Sequence, residues 1–241
     1  MEIAGNSTGR VANKGMEGLA ISPDGSTLAG IVQASLEQDK NKVVRIVTLD
    51  TATGVAHEYA YQRTTGSGVS EIVALNDHQF LVDERGGKGL GDGTTALVKR
   101  LFRIDLDGAT DGGNRTGSTA DQRALKAAAV KKTLVLDMVN LLAASGTRAD
   151  QIPFKIESLA FGEDTTLNGV LSHTLYVAND NDFVPNTAGD NKIFVFALSD
   201  ADLGAVFTQP QIPEPESLAR VLLGLGVVGS LRRCKSCLLQ K

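Results

Sequence analysis

MEGLAISPDGSTLAGIVQ, residues 16–33, decides how the rest of the chain reads. A glutamate, Glu17, opens a short apolar run. Pro23-Asp24-Gly25 then makes a turn, and a second apolar run follows. Proline presets φ, aspartate bonds its own backbone and glycine accepts positive φ, so the middle of this stretch reverses the chain between two strands. The pattern recurs in VSEIVALNDHQFLVDER (69–85), with Glu71 and a turn at Asn76-Asp77. It recurs again in IESLAF (156–161) and HTLYVANDND (173–182), with Glu157 and a longer loop around Glu163–Gly169. An alternating segment trails each unit: VVRIVTLDTATG (43–54), KRLFRIDLDGAT (99–110) and NKIFVFALSDADLG (191–204). Period-two alternation marks a half-buried strand.

Strand, turn, strand, loop and an outer alternating strand is the order of a propeller blade. Glu17 and Glu71 lie 54 residues apart, close to the roughly 50-residue period of kelch-like blades. The wider gap from Glu71 to Glu157 is explained by STADQRALKAAAVKKTLVLDMVNLLAASG (118–146), which reads as a helical insert. Thr119 and Gln122 have capping-box spacing there. The fold expected is all-β and β-propeller-like, partial, with about three to four blades, a helical insert and a C-terminal apolar helix. Three or four blades of a larger ring leave exposed edges and an unfilled axis.

Composition agrees with a turn-rich β protein: 26 glycines, 5% aromatics and 42% hydrophobic residues in 241. A net charge of −4 gives no basic face for nucleic acid. The two cysteines, Cys234 and Cys237, lie in the tail as a lone pair without further zinc ligands. Residues 1–14 hold neither the basic nor the apolar part of a secretory signal. The other end, PEPESLARVLLGLGVVGSLRR (213–233), has the order of an export-linked terminus. The expectation is the C-terminal portion of a longer exported polypeptide, divided into a sheet domain at 1–209 and a tail at 210–241.

NKGMEGLAISPDGSTLAGIVQASL, HEYAYQ, VSEIVALNDHQFLVDERGG, LFRIDLDGATD, KKTLVLDMVNLL, KIESLAF and LYVANDNDF occur in one order over residues 10–200. Together they resemble the phytase-like, "esterase-like activity of phytase" family. The resemblance implies an exported bacterial β-propeller with a phosphoester or ester hydrolase activity. One departure is Ser158, where Glu17-Gly18 suggests glycine. The tail resembles a PEP-CTERM sorting signal: Pro213, Glu214 and Pro215, an apolar run, then Arg232 and Arg233. That resemblance implies an exosortase-type processing enzyme as partner and transient membrane association through the tail. It also implies a location in the periplasm, at the outer surface or in the extracellular matrix. Arg220 shortens the uninterrupted apolar run to Val221–Leu231, below the roughly 20 residues of a spanning helix.

The acidic positions are the candidates for chemistry. Glu17, Glu71 and Glu157 begin inner-type strands, and Glu84-Arg85 and Asp180-Asn181-Asp182 end two others. At the mouth of a propeller such groups converge. Glu17, Glu71, Glu84 and Glu157 would then serve as acid or base, with Arg85 for a phosphate or carboxylate. Asp180 and Asp182 would serve as ligands of a hard cation such as Ca²⁺. The alternative is that these glutamates bond neighbouring backbone and that Glu84 and Arg85 tie blades together. His57, His78 and His173 are scattered, GGKGLGDGTT (86–95) lacks the Walker order and reads as a flexible loop, and no G-x-S-x-G is present. Two function classes stay open: a metal-assisted phosphoesterase or esterase, and a surface propeller that binds a polysaccharide, a partner or matrix.

Overall fold

A computed structural model describes residues 5–39, 43–113, 115 and 118–210. The chain divides into two units, Met1–Pro210 and Gln211–Lys241. The tail motif, with Pro213, Glu214, Pro215, Arg232 and Arg233, and the expected C-terminal helix lie outside the described residues. The first unit is mostly β, with few helices. Strands β1 (Met16–Ile21), β2 (Thr27–Val32), β3 (Val43–Asp50) and β4 (Ala56–Gln62) form an antiparallel meander. A second meander contains β5 (Gly68–Ala74), β6 (Gln79–Arg85), β7 (Lys99–Asp105) and β8 (Lys132–Asp137). The third sheet runs β11 (Ile193–Leu198), β10 (Val170–Asn179), β9 (Ile156–Leu167). Among the described residues these three sheets close no barrel.

Two local expectations need correction. The insert at 118–146 is not helical throughout. Helix α1 (Thr119–Ala127) and helix α2 (Met138–Ala144) flank β8, which is the fourth strand of the second sheet. Leu134 and Leu136 of β8 lie opposite Phe102 and Leu101 of β7, so cross-strand packing claims a segment that a helical reading absorbed. The cap of α1 is Ser118 rather than Thr119, its hydroxyl accepting from the Asp121 amide at 3.0 Å. The long loop around Glu163–Gly169 is also absent. β9 continues to Leu167 and turns through Asn168 (φ 52°) and Gly169 (φ 80°) into β10. Asn-Gly with two positive φ values is the preferred two-residue hairpin turn, which matches the twist of its strands.

The sheets pack face to face. Residues directly opposite on neighbouring strands share a face, so the register sorts them. Ile72, Val82, Phe80 and Ile104 of the second sheet point to the first, where they meet Ala20, Ala29, Ile31 and Ile46. Leu81, Leu101 and Leu136 point the other way, to Leu159, Leu175, Val177 and Phe196 of the third sheet. The middle sheet is therefore buried on both faces. Each flanking sheet has one buried face, and its other face leaves several large apolar side chains exposed.

A bulge fixes how the units correspond. Register shifts fall between Met16 and Gly18 and between Val69 and Glu71, and on the third sheet between Ala178 and Asn179, opposite Ser158 and Ile156. The extra residues are Glu17, Ser70 and Glu157. In structure, then, Ser70 corresponds to Glu17 and Glu157, and Glu71 stands one place later, beside Gly18 and Ser158. A one-residue slip moves a side chain to the opposite face of the sheet. Glu71 accordingly shares a face with its β6 partner Asp83.

Candidate functional site

Of the strand ends that the sequence marks as polar, those of Arg85 and Glu157 meet at the junction of the second and third sheets. On β6, alternation sends Asp83 and Arg85 toward the third sheet and Glu84 toward the first. Arg85 forms an ion pair with Glu157 of β9, the two side chains being 13% and 26% exposed. Behind them Asp83 is fully buried, with Ser70 Oγ 2.9 Å from its Oδ2. The same Ser70 Oγ lies 2.9 Å from the Ile156 carbonyl. One hydroxyl proton cannot serve both acceptors. A protonated Asp83 resolves this, donating to Ser70 Oγ while Ser70 donates to Ile156. Burial pushes the Asp83 carboxyl up to about 7 against the nearby Ser70, Lys99 and Arg85, in the direction this geometry requires.

Lys99, at the start of β7, is buried too, and its Nζ donates to the carbonyls of Gly86 (2.5 Å), Phe154 (2.7 Å) and Lys88 (3.1 Å). Burial first, and the Arg85 charge second, pull its ammonium down to about 8. This cage pins the start of the glycine-rich loop to the residues leading into β9. Gly89 and Gly91 lie so close to Phe154 that a Cβ at either would overlap it or the neighbouring backbone, so the loop is packed there. Glu71 accepts from the backbone amide of Ile72 at 3.0 Å, and burial raises its carboxyl above the usual range. Thus Glu71, Asp83, Arg85, Lys99 and Glu157 form one electrostatically linked group. Asp83 Oδ1, Arg85 Nε and Asn179 Nδ2 are buried there without a hydrogen-bond partner.

The other candidates are placed differently. Glu84, fully buried, accepts from Tyr61 Oη (2.6 Å), the Thr64 amide (2.8 Å), Ser67 Oγ (2.9 Å) and Lys132. It joins β4 and the loop after it to β6 and β8, and these bonds hold its carboxyl below the ordinary value despite burial. Glu17 is exposed on β1. Asp180 accepts from the Asp182 amide at 2.8 Å, closing an Asx turn, and Asp182 pairs with Lys155 at 2.6 Å. Among the described residues no group of three or more His, Cys, Asp or Glu side chains is placed to hold a metal ion. His57 and His78 line a cleft of about 310 Å³ at the opposite end of the first two sheets, and each has an aspartate at 2.8 Å.

Sequence reading missed Asp83, Ser70 and Lys99. Asp83 sits inside QFLVDER, where Phe80 to Val82 announce a buried strand. An ionisable residue inside such a run was the available signal.

Part-exposed Arg85 and Glu157 can meet a ligand, with the guanidinium offering a fork to an oxyanion and the carboxylate handling a proton. Buried Asp83 and Lys99 set the field behind them. Among solved structures, the chain is similar to one from S. cerevisiae containing a Dbp5 variant bound to Nup159, a Gle1 variant, IP6 and ADP. The match has 9% identity and a TM-score of 0.35, covering 85% of this chain and 46% of that one. The chain thus spans less than half of the solved chain it matches. No curated protein matches. The family model described as "Phytase-like: Esterase-like activity of phytase" matches residues 2–183 of the 241. By that match, which covers well over half of its length, the chain belongs to the phytase-like family.

Proposed function

We propose that the three sheets are an arc of a β-propeller and that the Arg85–Glu157 end of their second junction hydrolyses an ester or phosphoester. The observation that carries this reading is the part-exposed Arg85–Glu157 pair backed by buried Asp83 and Lys99. In this reading the guanidinium takes the substrate's anionic oxygens, and Glu157, released from the pair, acts as general base toward water. Family membership supports a hydrolase-like assignment. The sheet faces support the propeller, because a run of face-packed meanders with an open face at each end is what an arc of blades presents. The test is turnover of phytate and of a chromogenic ester by the full chain, with and without chelator. Arg85→Gln and Glu157→Gln should each lower kcat/KM by about 100-fold or more. Wild-type turnover that both variants retain would remove the site from this reading.

A second reading, a binding propeller without catalysis, draws on the bonds these carboxylates already make. Glu84 and Asp83 are enclosed, and Glu157 is ion-paired. Absence of turnover together with saturable binding of a polysaccharide would favour it. We further propose export, with the tail cut near Pro213–Pro215 by an exosortase-type enzyme. The order Pro-Glu-Pro, apolar run, Arg-Arg supports this. A mature exported form whose mass still includes Lys241 would refute it.

A further inference from the structure

Asp83 is a buried acid with half of its bonding unmet. Its carboxyl is fully buried, Oδ2 meets Ser70, and Oδ1 has no partner. The neutral acid tolerates this, because an unpaired neutral acceptor costs far less than an unpaired buried charge. A carboxylate at the same place needs a cation with a donor to spare. The groups that face Asp83 are Ser70 and Glu71 from β5, Arg85 on its own strand, Lys99 from β7, and Glu157 and Asn179 from the third sheet.

Two of these groups are cations. Lys99 has three N–H donors, and the carbonyls of Gly86, Lys88 and Phe154 take all three. Arg85 pairs with Glu157 through Nη2, whereas its Nε is buried and unbonded. Alternate residues of a strand stand about 7 Å apart on one face, a span that an arginine side chain covers. An acceptor that lacks a donor and a guanidinium N–H that lacks an acceptor therefore share one face of β6, two residues apart. Asn179 Nδ2 is a second idle donor in this junction. It is neutral, and a charge-assisted bond is roughly twice as strong.

We propose that Asp83 is a positioning residue, whose ionisation draws the guanidinium of Arg85 off Glu157 and leaves Glu157 free to take a proton from water. With Asp83 neutral, Arg85 rests on Glu157. With Asp83 ionised, Arg85 Nε turns to Oδ1, and the Nη groups serve the oxyanion of a substrate. Lys155, another cation beside Glu157, is held by Asp182 and does not take over the pairing. Burial sets the exchange in the neutral range, since it lifts the Asp83 carboxyl to about 7. The acid dominates below that value and the carboxylate above it. The consequence for catalysis rests on the hydrolase reading of Arg85 and Glu157, but the exchange of partners does not.

Two measurements on the full chain keep these apart. The first is a double-mutant cycle of Arg85→Gln and Glu157→Gln, read by urea unfolding at about pH 5.5 and about pH 8, with circular dichroism on each variant. Coupling between Arg85 and Glu157 should be present at the lower pH and lost at the higher. Asp83 is unaltered in this cycle, so its outcome does not depend on how an Asp83 variant folds. The second is kcat/KM of wild type and Asp83→Asn on phytate and on the chromogenic ester over the same interval. Their ratio cancels the titrations that the two proteins share, and it should grow about 10-fold or more as the ionised fraction of Asp83 rises. Coupling that is equal at the two pH values overturns the proposal, whatever the turnover. A constant ratio in an active enzyme overturns it as well. Coupling that is lost while neither substrate is turned over supports the exchange and counts against the hydrolase reading alone.

Discussion

At the scale of single residues the chain holds two buried carboxylates on adjacent positions, and their environments differ. Glu84 receives four hydrogen bonds and stays ionised, whereas Asp83 receives little and is displaced from its ordinary 3.8 to about 7 by burial. A folded value above the unfolded one means that the folded chain holds the proton more tightly. That contribution is complete below about pH 4 and is lost as pH rises through about 7, an interval corresponding to about 4 kcal/mol. Asp83→Asn keeps the shape and still donates to Ser70, so its stability relative to wild type should grow from pH 4 to pH 8, by about 2–4 kcal/mol. Urea midpoints at the two pH values check this, and a difference that does not change with pH would mean that Asp83 is charged. Lys99 acts in the other direction and higher up. Its lowered value, about 8 against 10.5, makes stability rise with pH between those limits. Glu84→Gln removes the charge that answers Lys132 and should cost about 2–4 kcal/mol in urea unfolding, with turnover little changed. Any shift of the melting curve by Ca²⁺ should be the same in wild type and Glu84→Gln, since the bonds of Glu84 are all to the chain itself.

At the scale of elements, strand junctions depend on close approach at a few positions. Gly18→Ala should destabilise by about 2 kcal/mol or more, because the added methyl meets the backbone of β5 rather than a side chain that can turn away. Thermal melts check it, and a variant as stable as wild type would mean that β1 can shift along β5. The sequence made most strands legible, since alternation in VVRIVTLD and KRLFRID and turns at Pro23-Asp24-Gly25 and Asn76-Asp77 are local signals. It hid β8, because KTLVLD lies between Ala-rich and Leu-rich helical stretches and is a strand only through its pairing with β7. The bulges were hidden for the same reason. An extra residue appears in cross-strand register and nowhere in local composition, so Glu71 was aligned with Glu17 and Glu157 one place out of step. The site was legible by halves. Arg85 and Glu157 stand out as charged strand ends, but their pairing joins positions 72 residues apart and follows from how two sheets pack.

At the scale of the whole unit, burial is graded along the run of sheets, and stability should follow it. The middle sheet has a core on each face, with Ile72, Phe80 and Val82 on one side and Leu81 and Leu101 on the other. β1 and β11 each have an open face, shown by Leu19 at 64% and Ile193 at 69% exposure. Regions with fewer buried apolar contacts open at lower free energy and exchange their amide hydrogens sooner. In dilute solution, amides of β5, β6 and β7 should therefore exchange last, and those of β1 and β11 markedly earlier. Exchange from β1 or β11 as slow as that from β6 would mean that the open faces are covered in solution.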